Sequence, residues 1–146
     1  MATAYRLTFF QRAFNASVKL WVRLGLPPRK YHLMSVAGRR SSRVHTTPVS
    51  VVEEGGQRWL VCPYGEREWV KNVRVAGRVT LTRGSYKQNC TASEELDPHL
   101  GAAVLRAYCR AEPVTRKFFR AGPASSLAEF AAEASLHPIF RLSTPE

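Results

Sequence analysis

The sequence predicts an α+β fold: about six short antiparallel strands closing into a small barrel, with an N-terminal amphipathic helix and helices flanking the C-terminal part. Three observations predict it. Short runs rich in Val, Thr and aromatic residues are joined by tight glycine-containing turns, which favours antiparallel hairpins over crossovers. Only one short helical pattern interrupts the strands between residues 31 and 92, and the flanking helical patterns lie before residue 25 and after residue 97. The 146 residues suffice for one core, expected as a single domain over 1–146 with residues 1–28 as an appendage.

Residues 5–24 carry Leu7, Phe10, Phe14, Val18 and Trp21 at helical spacing, with Arg12, Lys19 and Arg23 away from that stripe. Leu26-Pro27-Pro28 ends the predicted helix, because proline lacks the N–H that a helix needs. Such a helix suits an anionic membrane surface or packing on the barrel, and both readings stand. Tyr31–Ala37 and Val44–Val52 read as strands, with Pro48 marking an edge or a bulge because it cannot donate to a ladder. Glu53-Glu54-Gly55-Gly56-Gln57 is the hairpin turn, and Arg58–Cys62 the third strand. Glu66–Ala76 reads as a short helix closed by Gly77, which can take the left-handed conformation of a helix end. Arg78–Arg83 and Tyr86–Ala92 form a hairpin around Gly84. Asp97-Pro98 opens a helix to about Arg110: the Asp97 carboxylate caps free N–H groups, and Pro98 has none to leave unsatisfied. Glu112-Pro113 starts another helix ending near Gly122, Ser126–Ser135 forms a short one, and His137–Leu142 is the closing strand.

The net charge of +11 is unevenly spread. Residues 1–52 contain no acid, yet hold Arg6, Arg12, Lys19, Arg23, Arg29, Lys30, Arg39, Arg40 and Arg43. A one-sided positive field favours an anionic partner. Nucleic acid is excluded because the basic strands lack the interleaved aromatics that stack bases. Cys62, Cys90 and Cys109 lack CxxC spacing and read as free thiols of a reducing compartment. No apolar run approaches the ~18 residues of a membrane span, and no small-residue cleavage site follows an apolar stretch near the start. A cytoplasmic protein is expected, peripheral to the inner face of the membrane if the first helix binds there. His32, His99 and His137 are scattered without metal-ligand spacing, so no metal is expected.

The chemistry gathers between Leu33 and Gly77. Gly38-Arg39-Arg40-Ser41-Ser42-Arg43 is a cationic turn, and a guanidinium grips phosphate through two parallel hydrogen bonds. Cys62-Pro63-Tyr64-Gly65 runs into a helix start and offers backbone N–H groups to an aromatic or charged ligand. Together they predict a sheet that holds a large anionic, ring-containing cofactor.

In order and spacing, that turn, Pro48, the Gly55-Gly56 hairpin, Pro63-Tyr64-Gly65, Trp69, Asn72 and the Arg78–Leu81 strand resemble the deazaflavin (coenzyme F420)-dependent nitroreductase/quinone reductase family. That family belongs to the pyridoxamine-phosphate-oxidase-like flavin-binding proteins. The resemblance is close over about residues 31–92 and extends elsewhere in element order. It implies a split β-barrel, F420 as cofactor, and hydride transfer to a quinone, nitro compound or other electron-poor acceptor. It implies that Arg39, Arg40, Arg43, Ser41 and Ser42 hold the cofactor's phosphate and anionic tail. Ser42, His45 and Thr47 stand where the family often carries glycine, arginine and asparagine, and Pro48 follows them. Cys62, Pro63, Tyr64 and Gly65 would lie against the ring. Trp69 and Asn72 share one helix face; Asn72 would bond backbone or cofactor while Trp69 packs. No strong general acid stands out, so Tyr64, Tyr108 or water would donate a proton to the reduced acceptor. The alternatives are an FMN-dependent oxidoreductase on the same barrel and a non-catalytic binder of a flavin-like or tetrapyrrole ligand.

Overall fold

A computed structural model describes residues 30–144. The helix expected over 5–24 and its Pro27-Pro28 stop lie outside the described residues. The strands are β1 (Tyr31–Ala37), β2 (Val44–Glu54), β3 (Gln57–Val61), β4 (Arg78–Arg83), β5 (Tyr86–Glu94) and β6 (Ile139–Ser143). They close into a barrel in the order β1-β2-β3-β6-β5-β4, with every neighbouring pair antiparallel. The expected α+β class and antiparallel barrel are what the chain adopts.

Alternation along the strands sorts side chains into two cores. Met34, Val36, Val51, Leu60, Val79, Leu81, Cys90, Ala92, Phe140 and Leu142 form one buried cluster inside the barrel. Residues of opposite parity, Val52, Trp59, Val61 and Ile139, join a second cluster with helix α2 (Pro98–Ala111) and helix α3 (Leu127–Glu133). A one-residue slip of any strand would exchange the two faces, so register is strongly specified. Phe140, Met34 and Leu60 are fully buried, and each stabilises the fold by about 1.5–3 kcal/mol.

Helix α1 (Glu68–Ala76) sends Val70 and Val73 into the inner cluster, so it plugs one end of the barrel. Gly77 ends it at φ 69°, donating its N–H to the Val73 carbonyl at 2.8 Å. The α2 start is as expected: the Asp97 carboxylate accepts from the His99 N–H at 2.8 Å. The β2–β3 turn is also as expected, with Gly55 and Gly56 both at positive φ.

The C-terminal region differs from expectation. Instead of a helix from Glu112-Pro113 to Gly122, Pro113–Phe118 forms a 3₁₀ helix. Glu112 does not cap it; its carboxylate turns to the Tyr31 hydroxyl at 3.0 Å and the Lys30 ammonium at 3.2 Å. The Ser126–Ser135 segment is α3 followed by a 3₁₀ turn over Ala134–Leu136. His137 is not in the closing strand, because its ring reaches the Pro63 carbonyl. Pro48 pairs with Leu33 of β1, but β3 meets β2 only from Val51 onward. Residues 44–50 therefore pair on one side only, and a missing N–H on the other side costs nothing.

Candidate cofactor site

β1 ends at Ala37, and residues 38–43 turn the chain into β2. Gly38 donates to the Arg43 carbonyl at 2.8 Å, and Ser42 donates to the Gly38 carbonyl at 3.0 Å. A Cβ on Gly38 would sit 2.9 Å from His45 Nε2 and 3.1 Å from the Arg43 carbonyl oxygen, so a larger residue would push the turn open. Ser42 takes φ 61°, a left-handed conformation costing about 1 kcal/mol for a non-glycine residue.

The three arginines of this turn are not equivalent. The buried Asn72 of α1 accepts with Oδ1 from the Arg39 backbone N–H at 3.1 Å and from Arg39 Nη1 at 2.8 Å. Arg39 Nη2 lies 2.6 Å from Glu68 Oε2, and that hydrogen bond holds the Glu68 carboxyl below the usual range. Arg39 is thus the bolt between turn and helix. Arg40 and Arg43 are exposed, and among the described residues their guanidinium groups make no hydrogen bond or ion pair. Arg40 only adds its field to that of Arg39 at Glu68. Exposed Ser41 accepts from the Arg43 backbone N–H at 3.3 Å.

His45 and Thr47 follow the parity of Val49 and Val51, so they belong to the barrel side of the one-sided stretch of β2. Pro48 shares the opposite face with Thr46, whose hydroxyl bonds Ser35 at 2.9 Å. The loop after β3 leaves the sheet just past this stretch. Cys62 is fully buried, donates its N–H to the Pro138 carbonyl at 2.9 Å, and has its thiol pushed up to about 11 by burial. Pro63 is buried, and its carbonyl bonds His137 Nδ1 at 2.9 Å. Tyr64 is exposed, edge-on to Phe118 at 4.6 Å between centroids, with the Arg67 guanidinium 5.6 Å from its ring. Gly65 has φ 91°, which a side chain would strain. Trp69 packs on the inner cluster, tilted against Phe140 at 6.1 Å.

Turn and α1 meet at one end of the barrel, with the one-sided β2 stretch starting there. Tyr108 is set apart from Tyr64 by environment: it is 6% exposed in the outer cluster, and burial, then the Glu112 charge, pushes its phenol upward. The sequence reading missed Glu133 and His137, which hold the loop. Their four-residue spacing was visible, but the Pro63 partner lies 74 residues away.

A second basic cluster stands at the opposite mouth, roughly 20 Å away at ~3.3 Å per residue of β1. There a cleft of about 910 Å³ is walled by Lys30, His32, Arg58, Arg83 and Tyr86, among others. Its cations are engaged. Lys30 Nζ donates to the Ala111 carbonyl at 2.6 Å and pairs with Glu112. Arg58 bonds Gln88 and Cys90, and Arg83 Nη1 donates to the Tyr31 carbonyl at 2.9 Å.

The α1 end fits a phosphate-bearing cofactor by its donor set: two unengaged guanidinium groups, two exposed serines and a one-sided strand. Among the described residues no group of His, Cys, Asp and Glu has a metal-binding arrangement. The fold is that of a split barrel. The sequence matches the F420H(2)-dependent quinone reductase family over residues 7–114, and the chain belongs to that family: it is an F420-dependent oxidoreductase. Among solved structures it is similar to an F420-H2 dependent reductase, FDR-A, at 20% identity over 79% of this chain and 95% of that one, TM-score 0.51. It is also similar to a putative pyridoxamine 5′-phosphate oxidase from Listeria innocua, at 12% identity over 81% and 86% of the two chains, TM-score 0.53. A conserved hypothetical protein from Mycobacterium tuberculosis matches at 13% identity over 90% and 80%, TM-score 0.56. At these identities the likeness is one of fold. No curated protein matches the sequence.

Proposed function

We propose that the chain binds reduced F420 with its anionic tail against Arg40 and Arg43, and its ring between the Cys62–Gly65 loop and the His45–Thr47 stretch of β2. The acceptor is a quinone, as the family description suggests, with nitro compounds as further electron-poor substrates. The observation that carries this reading is the Arg39–Asn72–Glu68 bolt, which holds two unengaged arginines beside a one-sided strand. Bound F420H2 supplies the hydride. The chain's own part is to grip the tail, to orient the ring through the loop, and to keep water away with Trp69 and the inner core. Cys62, held as a buried thiol, is a wall rather than a nucleophile. Of the two tyrosines, exposed Tyr64 is placed to hand a proton to the reduced acceptor, and Tyr108 backs the loop. The cofactor-binding unit spans 1–146.

The direct test is fluorescence titration of F420. Arg40→Ala and Arg43→Ala should each weaken binding by about 1.5–3 kcal/mol, the effect of a lost charged hydrogen bond. Added salt should weaken binding to the native protein. Unchanged affinity in both variants would remove the tail from this turn.

The same reading brings the protein to a lipid quinone through residues 5–24, whose Phe/Leu/Trp stripe and basic residues are those of a membrane-surface segment. The protein should co-sediment with vesicles rich in anionic lipid and less with zwitterionic ones, and deletion of residues 1–24 should abolish the difference. Indifference of the full chain to vesicle charge would leave only soluble acceptors.

A further inference from the structure

Glu133 and His137 are 2% and 3% exposed, the most deeply buried ionisable pair near the loop. His137 Nε2 lies 2.7 Å from Glu133 Oε1, and Nδ1 lies 2.9 Å from the Pro63 carbonyl oxygen. The ring stacks on Phe119 at 4.2 Å between centroids and 29° between planes. The Glu133 carboxylate also accepts the Arg120 N–H at 3.1 Å to each oxygen and the Ala121 N–H at 2.8 Å. A carbonyl oxygen can only accept a hydrogen bond, and the Glu133 carboxyl is itself anchored by two backbone N–H groups. The Pro63 oxygen can only accept, so Nδ1 carries the hydrogen and donates to it, while Nε2 shares a hydrogen bond with Glu133 Oε1.

A buried polar pair of this kind adds little net stability, because desolvating the two groups offsets the bond between them. What it does supply is a fixed N–H donor aimed at one backbone atom. That atom belongs to Pro63, at the entrance of Pro63-Tyr64-Gly65. The neighbouring contacts reinforce the clamp: Cys62 N–H bonds the Pro138 carbonyl, and a Cβ on Gly65 would lie 3.8 Å from the Leu136 carbonyl oxygen.

We propose that Glu133 and His137 are positioning residues for the cofactor: by clamping the Pro63 carbonyl they fix the loop that orients the deazaflavin ring and Tyr64. This rests on the ring lying at that loop, as argued above. It makes cofactor affinity depend on two residues at the C-terminal end of the chain that need not touch the cofactor.

The test joins nuclear magnetic resonance of ¹⁵N-histidine-labelled full-length protein with F420 titrations of variants. An Nδ1–H signal hydrogen-bonded to a carbonyl is expected for the His137 ring; an unprotonated Nδ1 would overturn the clamp without reference to any variant. Glu133→Gln keeps the clamp, since the new amide can donate to Nε2 while Nδ1–H stays on Pro63, so F420 affinity should stay within threefold. The double variant Glu133→Gln/His137→Phe removes the clamp while leaving no unpaired buried charge, and should bind F420 at least tenfold more weakly with a native circular dichroism spectrum. A folded double variant that binds as tightly as the native protein would overturn the proposal, as would a Glu133→Gln variant as weak as the double one. Arg40→Ala serves as control. If it is weakened while the folded double variant is not, the tail site stands and the clamp falls; if it is not weakened, the tail site itself is misplaced.

Discussion

The two ends of the barrel each gather three basic residues, yet those residues hold different things. At the opposite mouth Lys30, Arg58 and Arg83 bond two backbone carbonyls, a carboxylate, Gln88 and Cys90, so their charge serves the fold. At the α1 end Arg39 alone is committed, to Asn72 and Glu68, and its commitment presents Arg40 and Arg43 to solvent. Positive charge by itself therefore does not mark a ligand site. A cation already bonded to protein acceptors has fewer free N–H groups and a partly offset charge to offer a ligand, so its net gain on binding is smaller. Unengaged guanidinium groups on a fixed turn lose less on binding, because the turn is ordered beforehand.

The largest effect that would break this contrast comes from Asn72→Leu. It removes the acceptor of two Arg39 N–H groups in a buried place, so stability should fall by about 1–3 kcal/mol. F420 affinity should fall more than in Arg40→Ala alone, because the whole turn loses its bolt. Thermal melts and titrations read both; an Asn72→Leu protein with native affinity would show that the turn needs no fixing. A smaller effect is expected at the other mouth. Arg58→Ala should lower the melting temperature through loss of its Gln88 and Cys90 bonds, while F420 affinity stays within twofold.

The smallest effect separates the two ends by pH. Burial, helped by the Arg83 and Arg58 charges, lowers the His32 pKa. The unfolded chain therefore binds a proton near pH 6.5 that the folded chain refuses. The stability His32 contributes is complete above about pH 6.5 and is lost as pH falls toward its lowered folded value. Glu68, lowered by Arg39, keeps its contribution until pH drops below about 4.3. The melting temperature should decline between pH 7.5 and 5.5, and His32→Gln should flatten that decline. An unchanged slope in that variant would mean that the opposite mouth does not sense this range.

Much of this was legible in the residues. Alternation and turn glycines placed β1 and β4 at their observed bounds, because hairpin geometry is local. Asp97-Pro98 likewise announced α2 through groups at its own first turn. What was not legible depends on distant partners. Glu112 abandons helix capping for Tyr31, 81 residues away, and His137 leaves the strand for Pro63, 74 residues away. The three arginines of the turn look alike in sequence. Only the docking of α1 shows that Arg39 is bonded twice to Asn72 while its neighbours are not.

The most direct test compares the two ends in one experiment: parallel F420 titrations of Arg40→Ala/Arg43→Ala and Arg58→Ala/Arg83→Ala against the native protein at low and high salt. The α1-end pair should bind at least a hundredfold more weakly and lose most of the salt dependence. The opposite-mouth pair should bind within about twofold of native and keep it. The reverse pattern, or equal losses at both ends, would contradict the placement of the cofactor at the Gly38–Arg43 turn.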